Sequence, residues 1–452
     1  MSKRLKWLLK LTIPVLYLLV AHRSIGQSAP LNLKEAITIA LTNNHSVRAD
    51  SLNISITNEK NKQLAGLYRP QVNYSSGIEY NPAIASQLLP GSIVGQPNKD
   101  LVPVQFGTRY SMKSGIEVTQ TIYRKDLLIQ MRGAGLQTSI AKTKYSLSKE
   151  ELLYQVATMY YSLQTNAETI RTTHFDYVNM KDVLRIAKAQ FENGILKRID
   201  YESLEINVAN TLSKLNQLQT QYNDQLAYFN YLLGLPASTE TVINDSISQD
   251  LYTPESGNPL LQREDIRLSS QMIDAKEIEL KSIHAEKKPA LSSYFRYNYQ
   301  SQFNEPGKAF NSDYLYNTAT VGIAVTIPIF DGNRRKSRIN AARTELEQLK
   351  LKSQHQQEQA TMELFSANGT LKNNREEYVI TKKNLELASN VFNSRKALYT
   401  EGVSTLMELL DAERELSQAR SQHLQAQINV QTGRLDVYKA NGTLLTDFLK
   451  SL

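Results

Sequence analysis

The 452-residue chain contains no cysteine. Disulfides, thiolate metal sites and thiol nucleophiles are therefore excluded, as is a lipid anchor on an N-terminal cysteine. Proline is missing between Pro103 and Pro236 and again after Pro328. A proline inside a helix costs about 3 kcal/mol, so these two stretches are where long helices survive. Tryptophan occurs once, and apolar residues make up only 41% of a chain rich in Gln, Asn and Ser. That balance fits elongated helices with a solvated face, joined to a few strands that use the 24 tyrosines. Beyond the N-terminus no apolar run is long enough for a transmembrane helix, so any membrane passage has to use strands.

The start, MSKRLKWLLKLTIPVLYLLVAHRSIGQ, sets basic Lys3, Arg4 and Lys6 before an apolar stretch from about Trp7 to Ala21. Ser24 and Gly26 are small residues ahead of Gln27, and Lys10 interrupts the run. The pattern predicts a cleaved secretory signal over residues 1–26 rather than an anchor. Cleavage removes Lys3, Arg4, Lys6, Lys10 and Arg23 and no acid, lowering the formal charge from +8 to +3. The high pI then gives no reason to expect nucleic acid as a partner.

From Leu33 to Tyr68 the pattern is helical, and it stops before Pro70. Strands are expected over about 70–80 and 110–123, where apolar residues alternate with polar ones: Val72, Tyr74, Ile78 and Tyr80, then Met112, Ile116, Val118 and Ile122. A loop rich in Pro, Gly and Asn, residues 81–108, separates them. Beyond Lys125 the period becomes helical through Leu152, Val156, Met159 and Leu163. A seam of Tyr177, Met180, Leu184, Ala187 and Phe191 carries it to 193, a helix roughly 100 Å long at 1.5 Å per residue. A return helix bearing Leu215, Leu218, Tyr222, Leu226 and Phe229 ends at the breaker Leu233-Gly234-Leu235-Pro236.

The plan then repeats. After a polar linker come a helix to Lys287, strands over about 290–300 and 317–330, a long helix to 401 and another return helix. GIEVTQTIY (115–123) aligns with GIAVTIPIF (322–330), and KAQFENG (188–194) with KALYTEG (396–402). The boundaries read as a first repeat over 27–234, a linker over 235–257, a second repeat over 258–440 and a tail over 441–452. Four strands cannot close a barrel, and an open edge in lipid leaves backbone groups unpaired at several kcal/mol each. Either the strands form a soluble sandwich or several copies share one barrel. The few charges and many tyrosines on the apolar face favour the shared barrel, and a trimer with twelve strands satisfies it.

PIFDGNRRKSRINAA (328–342) resembles the strand-to-helix junction of the TolC-type outer-membrane efflux proteins of Gram-negative bacteria. YTEGVSTLMELLDAERELSQA (399–419) resembles that family's tip and following helix, and the duplication is equally characteristic. The resemblance covers essentially the whole mature chain. It implies a mainly α fold with a membrane β-barrel part: a homotrimer whose paired long helices form an α-barrel and whose four strands per chain build a twelve-stranded barrel in outer-membrane lipid. The linkers and tail would form an equatorial collar. The implied partners are a periplasmic adaptor and an inner-membrane drug pump or ABC exporter of a type I secretion system.

Site residues follow. Gly194 and Gly402 suit chain reversals because glycine adopts left-handed angles freely. In the family such turns meet the adaptor, which assigns Gly194, Ile195, Gly402, Val403 and Ser404 to that surface. Glu408, Asp411 and Glu415 share one helix face, and like charges at this spacing do not favour the helix. In a trimer around a pore they would stack as acidic rings. The resemblance places the entrance carboxylates at Glu408 and Asp411. Two plainer roles stay open: Thr405 and Glu408 as a capping box, and Asp411 paired with Arg414. Asp200 and Tyr399 match a pair that latches neighbouring tip helices, while Ser404 stands where some members carry a basic tether.

His45, His174, His284, His355 and His423 are scattered without metal-ligand spacing, and no P-loop, dinucleotide fingerprint or G-x-S-x-G occurs. No catalysis or cofactor is expected, so any energy source lies in a partner. The competing expectation is a secreted coiled-coil structural or adhesive protein without a pore.

Overall fold

The computed structural model describes residues 30–244 and 262–451. The expected signal peptide and most of the linker, residues 245–257, lie outside them. In chain order the elements are α1 (Leu33–Asn43), α2 (His45–Gly66), β1 (Gln71–Tyr80), β2 (Ser86–Pro90), β3 (Leu101–Gln105), β4 (Tyr110–Tyr123), α3 (Lys125–Glu192), α4 (Arg198–Leu233), α5 (Glu264–Ala285), β5 (Ala290–Phe303), β6 (Leu315–Thr326), α6 (Arg334–Thr400) and α7 (Leu406–Asn441). A short π-helical turn, Leu444–Phe448, follows. No helix among the described residues is long and apolar enough to cross a membrane. The chain divides into two compact units, and α2, α3, α5 and α6 contribute a segment to each.

One unit, residues 51–143 and 268–355, holds a four-stranded antiparallel sheet in the order β1-β4-β5-β6. Register assigns its faces. Val72, Val118, Phe295 and Val321 form one cross-strand row, and Tyr74, Ile116, Tyr297 and Ala319 the next. On the other face Asn73, Glu117, Arg296 and Thr320 align, with Arg296 Nε 2.6 Å from Glu117 Oε1. Period-two alternation thus becomes one apolar and one polar face. Tyr80, Tyr110 and Phe303 end the apolar face as a run of rings 4.9 and 5.5 Å apart. β1 and β6 are the sheet's two edges. Two expectations change here. β6 stops at Thr326, because Pro328 has no N–H to donate to a ladder. The expected loop over 81–108 contains a second hairpin, β2–β3.

The other unit comprises 30–50, 144–244, 262–267 and 356–451 of the described residues. Its larger core joins Ile37 and Ala40 of α1, Leu153, Val156 and Tyr160 of α3, Phe229 and Leu233 of α4, and Leu435 and Tyr438 of α7. Burying a side chain such as Phe229 contributes about 2–3 kcal/mol. The helix expected over Leu33–Tyr68 is broken at Asn44. Asn44 accepts from the Ser46 N–H at 2.9 Å and donates Nδ2 to the Leu232 carbonyl at 3.0 Å, so a cap and a tertiary bond replace helix continuity. α4 and α7 have 36 residues each, and both end at a glycine with φ +72°.

Around the start of α5, Glu150 is half-buried among Glu264, Asp265, Arg263 and Arg267. Burial, then the charges of Glu264 and Asp265, push its pKa up to about 7 from an ordinary 4.5. Below pH 4.5 folded and unfolded carboxyls are both neutral. Between 4.5 and 7 only the unfolded one ionises, so stability falls as pH rises, and above 7 the full penalty remains. Glu150→Gln is expected to stabilise the protein by about 1–2 kcal/mol at pH 8, after discounting for solvent screening, and not at all at pH 4. Thermal unfolding at the two pH values measures this.

Candidate functional site at the helix tips

Four helix ends meet at the tips. Met180, Val183 and Ala187 of α3, Leu204 of α4, Tyr399 of α6, and Leu406 and Leu409 of α7 form one buried cluster. The expected seam residues Met180 and Ala187 belong to it, while Leu184 packs against its edge.

Both reversals use the same hydrogen bonds. Gly194 N–H reaches the Phe191 carbonyl at 2.9 Å, and Ile195 N–H reaches that of Gln190 at 2.8 Å. At the second tip Gly402 bonds Tyr399 at 3.1 Å and Val403 bonds Leu398 at 2.9 Å. Both glycines have φ +74°, the left-handed position of this helix cap. The restart differs: Lys197 caps α4 without a side-chain bond, whereas Thr405 and Glu408 form a complete capping box on α7.

Glu408 therefore holds its own helix end. Its Oε2 accepts from Ser404 Oγ at 2.6 Å and from the Thr405 N–H at 3.0 Å, with Arg395 at 3.5 Å. The Ser404 bond first, then the backbone bond, hold the carboxyl below the usual range. The capping box expected as its plainer role is formed. Ser404 departs from its expected place on the exposed surface, since its side chain is buried and its hydroxyl is committed to Glu408. Asp411 stays on the exposed face, where Arg414 reaches its Oδ1 at 2.7 Å.

The expected Asp200–Tyr399 latch is not formed within the chain. Tyr399 donates its hydroxyl to Gln190 Oε1 at 3.0 Å, tying the second tip to the first. Asp200 sits in the first turn of α4, where a carboxylate favours the helix dipole.

Ile195 and Val403 are 76% and 71% exposed, and Ile199 and Met407, one helical turn on, are exposed as well. Each pair is related by the same sequence offset as the two glycines, so both tips present a matching apolar pair. Ile199 and Met407 were not anticipated, although their i+4 spacing from Ile195 and Val403 carried the signal.

Further along the bundle, Arg420 of α7 pairs with Asp176 of α3, the side chains being only 21% and 13% exposed. Half-buried Glu413 lies beside them. Burial, then the charge of Asp176, push its carboxyl up, while Arg420 opposes this. These residues, with Thr172 and Asn207, line a cleft of about 700 Å³ between α3, α4 and α7. None was anticipated, because residues 176 and 420 meet only through tertiary packing.

The family model for outer membrane efflux proteins matches residues 36–235 and 257–443. The chain is 21% identical over 440 residues to the outer membrane efflux protein BepC of Brucella suis, covering 94% of this chain and 88% of that protein. Its fold is similar to the CmeC outer membrane channel of Campylobacter jejuni, with a TM-score of 0.75, 16% identity and coverage of 93% and 88%. It is similar also to the outer membrane protein VceC of Vibrio cholerae, with a TM-score of 0.73, 15% identity and coverage of 91% and 96%. With both halves matched in sequence and nearly the whole chain in fold, the protein belongs to the outer membrane efflux protein family.

Proposed function

We propose that the protein is the outer-membrane exit channel of a tripartite efflux or type I secretion system. Three copies close a twelve-stranded barrel in lipid, and their long helices close an α-barrel in the periplasm. Passage is passive, and the tips open when a periplasmic adaptor and an inner-membrane pump engage them.

The sheet carries this reading. It has an apolar face left exposed, a polar face, and two edges without partners among the described residues. Lipid accepts such a sheet only when it is closed, and one chain supplies too few strands. A soluble adhesive protein would instead have to cover Val72, Ile78, Val321 and Ile323, all of which are exposed. The helices give independent support. Ile380, Leu387, Val391 and Leu398 recur along α6 at 7-4-7 spacing, all exposed, as a seam for a neighbouring helix.

The exposed pairs Ile195/Val403 and Ile199/Met407, with Gly194 and Gly402, form the adaptor-facing surface in this reading. Asp411 contributes the acidic ring at the entrance, with Glu408 behind it as a cap. Planar-bilayer recording of the purified protein tests the channel, and absence of any conductance would sink it. Asp411→Asn is expected to lower cation-over-anion preference by about 2-fold with assembly intact. Arg414→Ala, which frees the same carboxylate, is expected to raise it by a similar factor. Reversal potentials in a salt gradient measure both.

A further inference from the structure

The hairpin β2–β3 leaves the sheet at the end where β1 runs into β4, opposite the end where α2 and α3 attach. It is a built element. Five residue pairs join its strands. The connecting loop closes on itself through Gly91, whose carbonyl accepts from Val94 at 3.3 Å and Gln96 at 2.8 Å. A Cβ on Gly91 would lie 2.1 Å from the Lys99 carbonyl oxygen, so only glycine fits.

Its surface is unusual for a segment facing water. Leu88, Ile93, Leu101 and Phe106 are exposed, and over residues 81–108 the only charged side chains are Lys99 and Asp100. Phe310, on the neighbouring β5–β6 loop, is 81% exposed. The hairpin's base lies against the polar face of the sheet: Ile84 and Phe106 line a cavity of about 330 Å³ with Ser111 and Gln302. Those two residues are directly paired, in the same polar row as Glu79.

We infer that the hairpins of three copies meet one another across the outer mouth of the barrel and form an apolar cap that narrows it. This rests on the shared-barrel reading, in which the polar face lines the lumen. The hairpin then leans over the lumen rather than over lipid. β1, the strand that leads into it, is the edge through which one copy joins the next, so the cap continues that contact. A phosphate-rich lipid headgroup surface would call for a cluster of cations, which this segment lacks. Apolar side chains of a second and third copy are the occupant its chemistry fits.

The absence of native cysteine makes the test direct. Single Ile93→Cys and Val321→Cys variants are purified as assembled channels and oxidised, Val321 lying on the outward apolar face. Ile93→Cys is expected to give disulfide-linked subunits in most chains, since a disulfide requires Cα atoms within about 7 Å, and Val321→Cys almost none. Oxidation of Ile93→Cys should also lower single-channel conductance by about 2-fold, reversibly on reduction. Assembled, conducting channels in which Ile93→Cys stays uncross-linked would overturn the cap and leave the barrel standing. A fluorophore on Ile93→Cys that shifts to the blue only on reconstitution into vesicles containing lipopolysaccharide would overturn it in favour of a lipid contact. Failure of the wild-type protein to assemble or conduct would remove the barrel and the cap together.

Discussion

Gly234→Ala and Gly442→Ala are expected to destabilise the protein by about 3 kcal/mol or more, and Gly194→Ala and Gly402→Ala by only about 1 kcal/mol. All four glycines end a helix in the same motif, with φ between +72° and +74°. Local backbone strain is therefore nearly equal and amounts to about 1–2 kcal/mol for any L side chain. What differs is the surroundings. A Cβ on Gly234 would lie 2.7 Å from the backbone of Asn43, and one on Gly442 2.8 Å from that of Arg263. Nothing lies within 4 Å of a Cβ on Gly194 or Gly402. Backbone cannot yield as a side-chain end does, so the close contacts add an overpacking penalty of about 1–3 kcal/mol. Thermal unfolding of the four variants separates the two contributions. Equal losses at all four sites would mean that φ alone sets the effect.

Arg420→Met should cost about 2–3 kcal/mol at pH 8 and clearly less at pH 5. Removing one partner of a buried ion pair costs about 3–5 kcal/mol, reduced here because Arg420 and Asp176 keep 21% and 13% exposure. The loss leaves Asp176 next to half-buried Glu413, whose carboxyl is already raised by burial and by Asp176. Without the guanidinium, which opposes that rise, the Glu413 carboxyl shifts further upward. A raised folded pKa means a penalty that is complete above that pKa and vanishes once the pH falls below the unfolded value. Asp176→Asn combined with Arg420→Met should recover much of the stability, since the carboxylate that paired with Arg420 is gone and Glu413 no longer faces a second one. Because Arg420 ties α7 to α3, the single variant should also loosen the bundle and raise the open fraction in bilayer recordings. A double-mutant cycle in urea, run at both pH values, measures the coupling.

The two tips show how much of the site could be read in advance. Gly194 and Gly402 were legible because a left-handed cap is a local demand that glycine meets, and the hydrogen bonds at both follow from it. Asp411 was legible as an exposed carboxylate, since helix periodicity assigns the face. Glu408 carried two expected roles; the capping box is formed, and Ser404, which the spacing did not point to, adds a hydroxyl that draws the carboxylate back to the helix end. Tyr399 was expected at the tips as a partner of Asp200, but its bond to Gln190 was not legible, because it joins two different tips.

Sequence alone determined where the chain breaks and which faces its elements present. A missing proline N–H, a glycine at positive φ and a period of two or of 3.6 all act within a few residues, so they survive without any knowledge of contacts. Tertiary structure decided the break at Asn44, the β2–β3 hairpin, the Asp176–Arg420–Glu413 cluster and the gap between the tolerant and intolerant glycines. Each of these depends on burial and on atoms brought together from distant parts of the chain. Desolvation and close approach are properties of the packed chain, and no spacing along it expresses them.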